Sequence, residues 1–450
     1  MAGKLRQTDF AFREIQMMKY QIIRMSLWVC VLVVSSGARA AESVKAPFKY
    51  VWAKAYHILP ETHNNESGYF SLVDGLDGKM YIGTTKYHQN SYLVQFDPKT
   101  EKQKIVIDVH KLCGLTASGF AAQSKIHTRN FVGKSGKVYC GSMQGYRDGD
   151  DKSDYPGGYV MVYDPKTNQA ENLGMPSRGK SVIDVAADEK RGLIYAVILK
   201  PDNFWMVYNT NQRSWRKLGP ISLYYGQTLI DGQGRAYTIT KDGFRLARYD
   251  PVSEKVTVRR IQIGQEMLRQ HMPNWRLGPD GRTSYLMGQD ETTLWSVDLF
   301  SEEEVVKATR VGKMLQGKNL RCVIGMDVAP DGRVYAVIRV DNETDFVGQT
   351  HSQSHFPGRG FLHHLTRYDP QTGKIEDLGV LAISNPDFLD LARTPHCHGY
   401  QKFPDGTLAP RDHHFALKIN KDGEVYITTI YPFALLRIRG LGTISNDERK

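Results

Sequence analysis

Cysteine is scarce in this sequence, whose 450 residues include only five. No two of them have the Cys-x-x-Cys spacing, which excludes a zinc ribbon and a thioredoxin-type redox motif. Cys30 lies in a segment that we expect to be removed, and the others are Cys113, Cys140, Cys322 and Cys397. Cys113 and Cys140 are the nearest of these in sequence. A disulfide between them and buried free thiols are both compatible with the pattern.

The sequence also lacks the short motifs of several common enzyme classes. It has no Gly-x-Ser-x-Gly elbow, and no P-loop or dinucleotide fingerprint in a strand–helix setting. A carboxylate pair for glycoside hydrolysis would have to come from residues 148–154, Glu343 or Asp345, and nothing singles out two of them. Among enzymatic functions, hydrolysis is therefore less favoured than elimination.

Long hydrophobic runs are absent except for one short stretch near the N-terminus. Lys19 and Arg24 precede an apolar run over residues 27–34, and Ala38-Arg39-Ala40 offers a cleavage site. The run is too short to span a bilayer, so we predict a signal peptide over residues 1–40, with residues 1–17 as an upstream extension. The mature protein is expected to be secreted or periplasmic, with no membrane span.

Acidic residues are outnumbered by basic ones, and the formal net charge is +11. Residues 1–40 contain six basic and two acidic side chains, so the mature chain has a charge of +7. This excess favours an anionic partner, but it is too small to indicate nucleic acid, and export argues against nucleic acid as well. We expect a monomer that binds an anionic polysaccharide or oligosaccharide.

What the sequence does contain is a repeated turn signal, a Gly followed three or four residues later by Tyr. Most of these glycines follow Asp or another polar residue, which is typical of a tight turn between antiparallel strands. A four-stranded unit repeated every 40–60 residues or so is typical of a propeller blade. The pattern predicts an all-β, seven-bladed β-propeller of four-stranded antiparallel blades. The glycines are Gly78, Gly136, Gly192, Gly234, Gly281, Gly332 and Gly423.

The two ends of the repeat region predict how the ring closes. A strand-like run over residues 49–58 precedes the first repeat, whereas the last repeat is one strand short. An open ring would expose an unpaired sheet edge, so we predict that the N-terminal strand completes the last blade. Residues 41–440 then form a single propeller domain, and residues 441–450 form a C-terminal tail.

Long insertions are confined to one set of connections, those that lie on one face of a propeller. Binding and catalytic groups collect on loops of this kind when a rigid scaffold supports them. We therefore expect the functional site on this elaborated face. The insertions span residues 111–126, 143–158, 265–273, 341–362 and 380–412.

Residues just before each predicted innermost strand form a ring of imidazoles, phenols and cations. One interpretation is an ordinary polar channel mouth filled with water. The other is an anion-binding pocket, because clustered positive groups bind carboxylate or sulfate. The ring contains His63, His127, Lys180, Tyr225, Gln227, His271, Arg321, His413 and His414.

Histidine is concentrated in the last quarter of the chain, where eight of the 14 lie between His351 and His414. His396 and His398 could present two imidazoles to one divalent metal ion, with His414 completing the site. An isolated His-x-His pair is a weak signal, and a structural role is the alternative. No organic cofactor is predicted.

Several of these features resemble the propeller polysaccharide lyases, namely the ulvan lyases and oligogalacturonate lyases. The local likeness lies in residues 125–128 (KIHT), 136–139 (GKVY) and 144–146 (QGY), and His396-Cys397-His398 is similar to the metal motif of oligogalacturonate lyases. Two positions depart from the pattern. Tyr146 and Arg147 stand where a second His of the ulvan-lyase type is expected, and Arg393 stands where the metal motif has Gln.

The resemblance implies β-elimination on uronate-containing glycans. This reaction removes the proton next to a carboxylate, so it needs a base, an acid and a cation or metal ion that stabilises the developing charge. The residues implied as catalytic are His127, Tyr225 and Tyr146. Those implied in substrate binding are Arg147, Lys180, His271, Arg321 and His63, and those implied as metal ligands are His396, His398 and His414.

Two other functions remain compatible with the residues. A non-catalytic propeller could bind a glycan or a protein through the same basic face. A metal-dependent propeller hydrolase or lactonase would hold its metal with acidic residues and Asn, and the predicted channel mouth has few acids.

Overall fold

A computed structural model describes most of the chain. The described residues are 45–64, 66–199, 203–219, 226–269, 272, 274–288, 291–317, 320–322, 325–341, 361–389, 399–411 and 416–441. The predicted signal peptide, its upstream extension and residues 442–450 of the predicted tail lie outside them.

Strands make up most of the described chain, and they are numbered here in chain order. The first are β1 (Tyr50–His57), β2 (Glu66–Asp74), β3 (Met80–Thr85), β4 (Tyr92–Asp97), β5 (Lys102–Asp108), β6 (Lys125–Ile126), β7 (Phe131–Val132), β8 (Val138–Met143), β9 (Val160–Asp164), β10 (Gln169–Asn172) and β11 (Ser181–Asp188). Then come β12 (Leu193–Leu199), β13 (Phe204–Asn209), β14 (Ser214–Lys217), β15 (Leu229–Ile230), β16 (Ala236–Ile239), β17 (Leu246–Asp250), β18 (Lys255–Ile263), β19 (Glu266–Met267), β20 (Asn274–Leu277), β21 (Thr283–Met287) and β22 (Thr293–Asp298). The last are β23 (Val305–Lys313), β24 (Leu320–Arg321), β25 (Met326–Val328), β26 (Val334–Asp341), β27 (Phe361–Asp369), β28 (Lys374–Ile383), β29 (Tyr400–Lys402), β30 (Leu408–Pro410), β31 (Leu417–Ile419), β32 (Val425–Thr429) and β33 (Ala434–Ile438).

Helical structure in the described residues is short. One α-helix, α1, spans Val109–Cys113, and three single 3₁₀ turns span Pro60–Thr62, Gly119–Ala121 and Pro386–Phe388. The side chain of Asp108 accepts a hydrogen bond from the amide of Lys111 and so caps α1. None of the described helices is long and apolar enough to span a membrane.

Consecutive strands pair antiparallel in meanders. In the simplest, β11 pairs with β12, β12 with β13 and β13 with β14. The same order joins β2–β5, β7–β10, β15–β18, β20–β23, β25–β28 and β31–β33. The first strands of neighbouring meanders contact each other, so that β2, for example, touches both β7 and β31.

The repeated Gly and Tyr have a structural reason. All the repeat glycines adopt positive φ, for example 77° at Gly78 and 88° at Gly332, as tight turns between strands require. The repeat tyrosines are buried, and several bond an acid of a turn. The hydroxyl of Tyr81 donates a hydrogen bond to the carboxylate of Asp77, and that of Tyr237 donates one to the carboxylate of Asp231, each with an oxygen–oxygen distance of 2.9 Å. In these two repeats the buried phenol therefore anchors a turn to the strand that follows it.

Strand β1 joins the N-terminal end of the described chain to its C-terminal end. Its second half pairs antiparallel with β33, from Lys54 opposite Arg437 to His57 opposite Ala434. Its first half pairs parallel with β28. Ala53 and Ala55 are buried in a core cluster that also contains Leu436.

The described cysteines Cys113, Cys140 and Cys322 are free thiols. Burial raises the pKa of the Cys113 thiol to about 12, so this side chain is neutral and unreactive near neutral pH.

Candidate functional site

An irregularity in β2 shapes the site. The pairing of β2 with β3 shifts register between Ser67 and Leu72, and Tyr69 adopts a φ of +56°. Positive φ is unfavourable for a bulky residue, and bulges of this kind redirect side chains beside functional sites. Here the bulge places the rings of Tyr69 and Phe70 against the imidazole of His127.

The imidazole of His127 is held between aromatic rings and a thioether. Its centroid lies 5.1 Å from that of Phe70 in a stacked arrangement and 4.8 Å from that of Tyr69. Nδ1 lies 3.1 Å from the sulfur of Met143. Because a thioether can only accept a hydrogen bond, this contact favours the tautomer with the proton on Nδ1 and a lone pair on Nε2. The ring is thus oriented as a potential base.

The ammonium group of Lys125 lies among three phenol rings. Lys125 is only 3 % exposed, and its backbone pairs with both β3 and β8. Its Nζ is 4.4 Å from the ring centroid of Tyr146, 4.6 Å from that of Tyr87 and 5.7 Å from that of Tyr69. Cation–π attraction stabilises such an arrangement. Tyr87 and Tyr146 also stack on each other, with 5.2 Å between their centroids.

These groups form one constellation, which we name the His127–Lys125 cluster. Tyr69 joins its two halves, because the same ring contacts His127 and Lys125. Tyr146 is 51 % exposed and so gives the cluster a side open to solvent. A buried cation, an imidazole and several phenols suit acid–base chemistry on an anionic substrate. The members are Tyr69, Phe70, Tyr87, Lys125, His127 and Tyr146.

The structure brings two of the predicted catalytic residues, His127 and Tyr146, into this cluster. The other members of the cluster, Tyr69, Phe70, Tyr87 and Lys125, were not predicted as site residues. Lys125 had a sequence signal, since it lies in the lyase-like KIHT segment. The roles of Tyr69 and Phe70 depend on the bulge in β2, which leaves no readable pattern in the sequence.

Other predicted binding residues have different surroundings. The ring of His63 packs edge-on against Phe433, and burial lowers the pKa of its imidazole. Arg147 lies over Phe120 and donates to the backbone oxygens of its own insertion.

Lys180 lies over the ring of Phe204, and Arg321 is an exposed residue of β24. The predicted site residues that lie outside the described part of the chain are Tyr225, His271, His396, His398 and His414.

Residues 174–181 match the P-loop consensus, Gly-x-x-x-x-Gly-Lys-Ser. In the structure this segment leads into strand β11 and not into a helix. A P-loop binds phosphate through a helix N-terminus, so the letter match does not indicate a nucleotide site here.

Buried and half-buried charges lie along the innermost strands. Carboxylates stand at Asp74 in β2, Asp184 in β11 and Asp327 in β25. Three cations face them, with Arg129 3.7 Å from Asp184, Arg276 3.8 Å from Asp327, and Lys418 3.0 Å from Asp327.

The sequence-based ring of candidates missed these acids. Asp184 and Asp327 interrupt the apolar runs 182–186 and 324–329, and an acid inside such a run was the available signal.

Burial dominates the titration of Asp184. It raises the pKa of this carboxyl to about 6, and the attraction of Arg129 only partly offsets the increase. Because the pKa is higher in the folded protein than in the unfolded chain, the proton stabilises the folded state at low pH. That stabilisation is lost as pH rises through the folded pKa.

We therefore predict a pH-dependent difference between the wild type and Asp184→Asn. The free energy of unfolding of the wild type, relative to the variant, should fall by about 3 kcal/mol as pH rises from about 3 to about 7. Subtracting the free energy of unfolding of the variant from that of the wild type removes the contributions of the other acidic residues. Urea titrations at several pH values measure the difference. A difference that rises or stays constant over this range would contradict the prediction.

Among the described residues, no group of three His, Cys, Asp or Glu side chains is arranged to hold a metal ion. The predicted ligands His396, His398 and His414 are not among those residues.

Comparison with known proteins identifies the fold. No protein-family model matches the chain, and no curated protein is similar to it in sequence. The structure of streptogramin B lyase is 9% identical with a TM-score of 0.51, and the alignment covers 86% of this chain and 97% of that one. The β-propeller domain of Cps50 (Swd1) from Myceliophteria thermophila is 9% identical with a TM-score of 0.50, and the alignment covers 86% of this chain and 100% of that domain's chain. At these identities the likeness concerns the fold alone, and this chain is an all-β protein with a β-propeller fold.

Proposed function

We propose that this protein is an exported polysaccharide lyase that cleaves uronate-containing anionic glycans by β-elimination at the His127–Lys125 cluster. The observation that supports the proposal most strongly is the ring of Tyr69, which contacts both the imidazole of His127 and the ammonium of Lys125. A base, proton donors and a buried cation are thereby held around the ring of Tyr69. These are the groups that abstraction of a proton next to a carboxylate requires.

Each group has a defined task in this reaction. Lys125 attracts the uronate carboxylate and stabilises the negative charge that develops beside it. Nε2 of His127 removes the proton on the neighbouring carbon, and that electron pair forms a carbon–carbon double bond as the glycosidic carbon–oxygen bond breaks. The phenol of Tyr146 protonates the leaving oxygen, and Tyr225 is the alternative donor.

The remaining parts of the proposal concern residues around this centre. Arg147, Lys180, His271, Arg321 and His63 would contact flanking carboxylates or sulfates of the chain. A divalent metal ion on His396, His398 and His414 would add a second positive charge. Chelator treatment that lowers activity, with recovery on adding back a divalent metal, is the expected result for such a site.

We also propose that the propeller has seven blades and that β1 closes the ring. The contacts between first strands support this, since β2, β7, β11, β15, β20, β25 and β31 each touch the next and β31 touches β2. The pairing of β1 with β33 supplies the last blade with its fourth strand. Closure pairs the side of β33 that would otherwise be an open edge.

A designed disulfide tests the closure. Ala55 in β1 lies opposite Leu436 in β33, a cross-strand distance that a disulfide spans. We predict that Ala55→Cys/Leu436→Cys oxidises readily, and that oxidation raises the free energy of unfolding of this variant by about 2–4 kcal/mol relative to its reduced form. The matched control is Ala55→Cys/Leu435→Cys, because Leu435 points to the opposite face of the sheet. Closure by β1 would be wrong if the first pair failed to crosslink or the two pairs crosslinked equally.

The test of the function is a panel of uronate polysaccharides incubated with the mature protein. Elimination creates a conjugated unsaturated uronate, which absorbs in the ultraviolet, whereas hydrolysis does not. We expect absorbance to rise with at least one member of the panel. No rise with any of them would contradict the lyase proposal. Edman sequencing of the exported protein should begin at Ala41 if the predicted signal peptide is cleaved.

One observation favours a second candidate, a glycan-binding module without activity. Tyr146 and Tyr87 stack on each other and Tyr146 is half exposed, which provides an aromatic surface for a sugar ring. Saturable binding of an anionic glycan without unsaturated product would support this function in place of catalysis.

A further inference from the structure

A cavity of about 320 Å³ lies along the innermost strands, next to the His127–Lys125 cluster. Phe70 belongs to both. The ring of Phe70 stacks on His127. The guanidinium of Arg129 also lies over this ring, 4.4 Å from the ring centroid. A cavity of this volume holds about ten water molecules or a small polyatomic anion with some of its hydration.

Most of the charged side chains that line this cavity are positive. Arg129, Arg276 and Lys418 line it, and Asp74 is the acid among its described lining residues. Arg129 is 7 % exposed, so its charge is poorly screened by solvent. Clustered cations in a recess attract anions, because the low-dielectric walls strengthen the field.

The other two carboxylates lie behind the cations. Asp184 accepts a hydrogen bond from the amide of Thr228, and Asp327 accepts bonds from Lys418 and the amide of Ile419. Neither is among the residues that line the cavity. They position the cations from outside the cavity lining. Arg276 also donates hydrogen bonds to the side chain of Gln227, which lines the cavity, and to the backbone oxygen of Trp275.

The cations also oppose one another. Burial, together with the positive charge of Arg129, lowers the pKa of Arg276 to about 10. An anion placed between the two guanidiniums would relieve this repulsion and would accept hydrogen bonds from a fixed fork of donors.

We infer that this cavity is a binding site for a small oxyanion, a sulfate or a carboxylate, held by Arg129, Arg276 and Lys418. The inference does not depend on the proposed lyase activity. The same chemistry could come from a free anion or from a sulfate ester or carboxylate of a bound glycan.

The test is isothermal titration calorimetry with inorganic sulfate, against sodium chloride at matched ionic strength. Sulfate also stabilises proteins non-specifically, so a saturable heat is the informative signal and a thermal shift is not. We expect one saturable site. Arg276→Gln should weaken the affinity at least about tenfold, because a charged donor is lost, and Arg276→Lys should weaken it less.

The matched control is Arg282→Gln. Arg282 is an exposed arginine that pairs with Asp298, and its replacement should leave sulfate affinity unchanged. Circular dichroism establishes that each variant is folded, and Lys418→Met provides a second variant if Arg276→Gln does not fold. No saturable heat, or equal affinity in the wild type, Arg276→Gln and Lys418→Met, would overturn the inference.

Two further experiments are needed. The first identifies the source of the anion, and the second shows whether anion binding and lyase activity are lost independently. Competitive inhibition of uronate cleavage by sulfate would indicate that a charged group of the glycan occupies the site. Binding without inhibition would indicate a free anion. His127→Ala should still bind sulfate with wild-type affinity, so loss of catalysis and loss of the anion site are separately visible. A large loss of sulfate affinity in His127→Ala would count against the cavity as the site.

Discussion

Replacement of His127 by Ala should lower the turnover of uronate cleavage by about 100- to 10,000-fold, the usual contribution of a general base. The imidazole stacks on Phe70 and its Nδ1 faces the sulfur of Met143, so the replacement removes the nitrogen that is oriented to accept the proton. KM should change little, because Lys125 and the tyrosines still attract the substrate. Initial rates over a range of substrate concentrations separate these two effects.

A second histidine provides the matched control for this experiment. His364, in β27, forms a hydrogen bond of 2.8 Å with the carboxylate of Asp377, and it is not part of the His127–Lys125 cluster. His364→Ala should therefore retain wild-type turnover. The rate-versus-pH profile of the wild type should show a limb at acidic pH that disappears with His127→Ala. Full activity in His127→Ala would remove His127 from the mechanism.

Replacement of Asp327 by Ala should lower the free energy of unfolding by about 3–5 kcal/mol, the cost of removing one partner from a buried ion pair. Asp327 is 3 % exposed, and it accepts a hydrogen bond from Lys418 at 3.0 Å while Arg276 lies 3.8 Å away. Both cations would remain partly buried without this carboxylate. Lys418 keeps Asp74, at 3.7 Å, as a weaker partner.

The conservative variant distinguishes charge from shape. Asp327→Asn keeps an oxygen for the amide of Ile419, so it should destabilise less than Asp327→Ala. Unfolding in guanidinium chloride measures the free energy of unfolding of both variants. Equal m-values would show that both variants expose the same surface on unfolding. A change within about 0.5 kcal/mol for Asp327→Ala would show that these charges are not coupled as the distances suggest.

Much of the fold could be predicted because its turns require particular residues. Gly78 and the equivalent glycines adopt positive φ, which only Gly adopts without strain, and each is followed by a buried Tyr. These requirements repeat in each meander and therefore appear in the sequence as a pattern. The repeat predicted the antiparallel meanders, and the strand-like run over residues 49–58 predicted a strand where β1 lies.

The candidate site was predictable only in part. His127 and Tyr146 have residue types that suggest chemistry, and they follow or precede strands at recognisable places. Tyr69 reaches His127 through a register shift and a strained φ, which depend on tertiary packing and not on local sequence. Arg147 shows the reverse case, since its own insertion offers backbone acceptors that engage the guanidinium.

The buried charges show a further limit of the sequence. In Val182-Ile183-Asp184-Val185-Ala186 the apolar neighbours correctly predict a strand. The ion pair between Asp184 and Arg129 joins residues that are far apart in the chain. A single sequence contains no information about which distant cation neutralises a given acid, so the arrangement becomes visible only in three dimensions.

The central claim is that the His127–Lys125 cluster catalyses elimination, and mass spectrometry of the products in water labelled with heavy oxygen tests it most directly. A lyase breaks the glycosidic bond without adding water. The account predicts that the product with the new non-reducing end is unsaturated, one water lighter than a hydrolysis product, and unlabelled at the cleavage site. Saturated products that contain the heavy oxygen would identify a hydrolase and contradict the account.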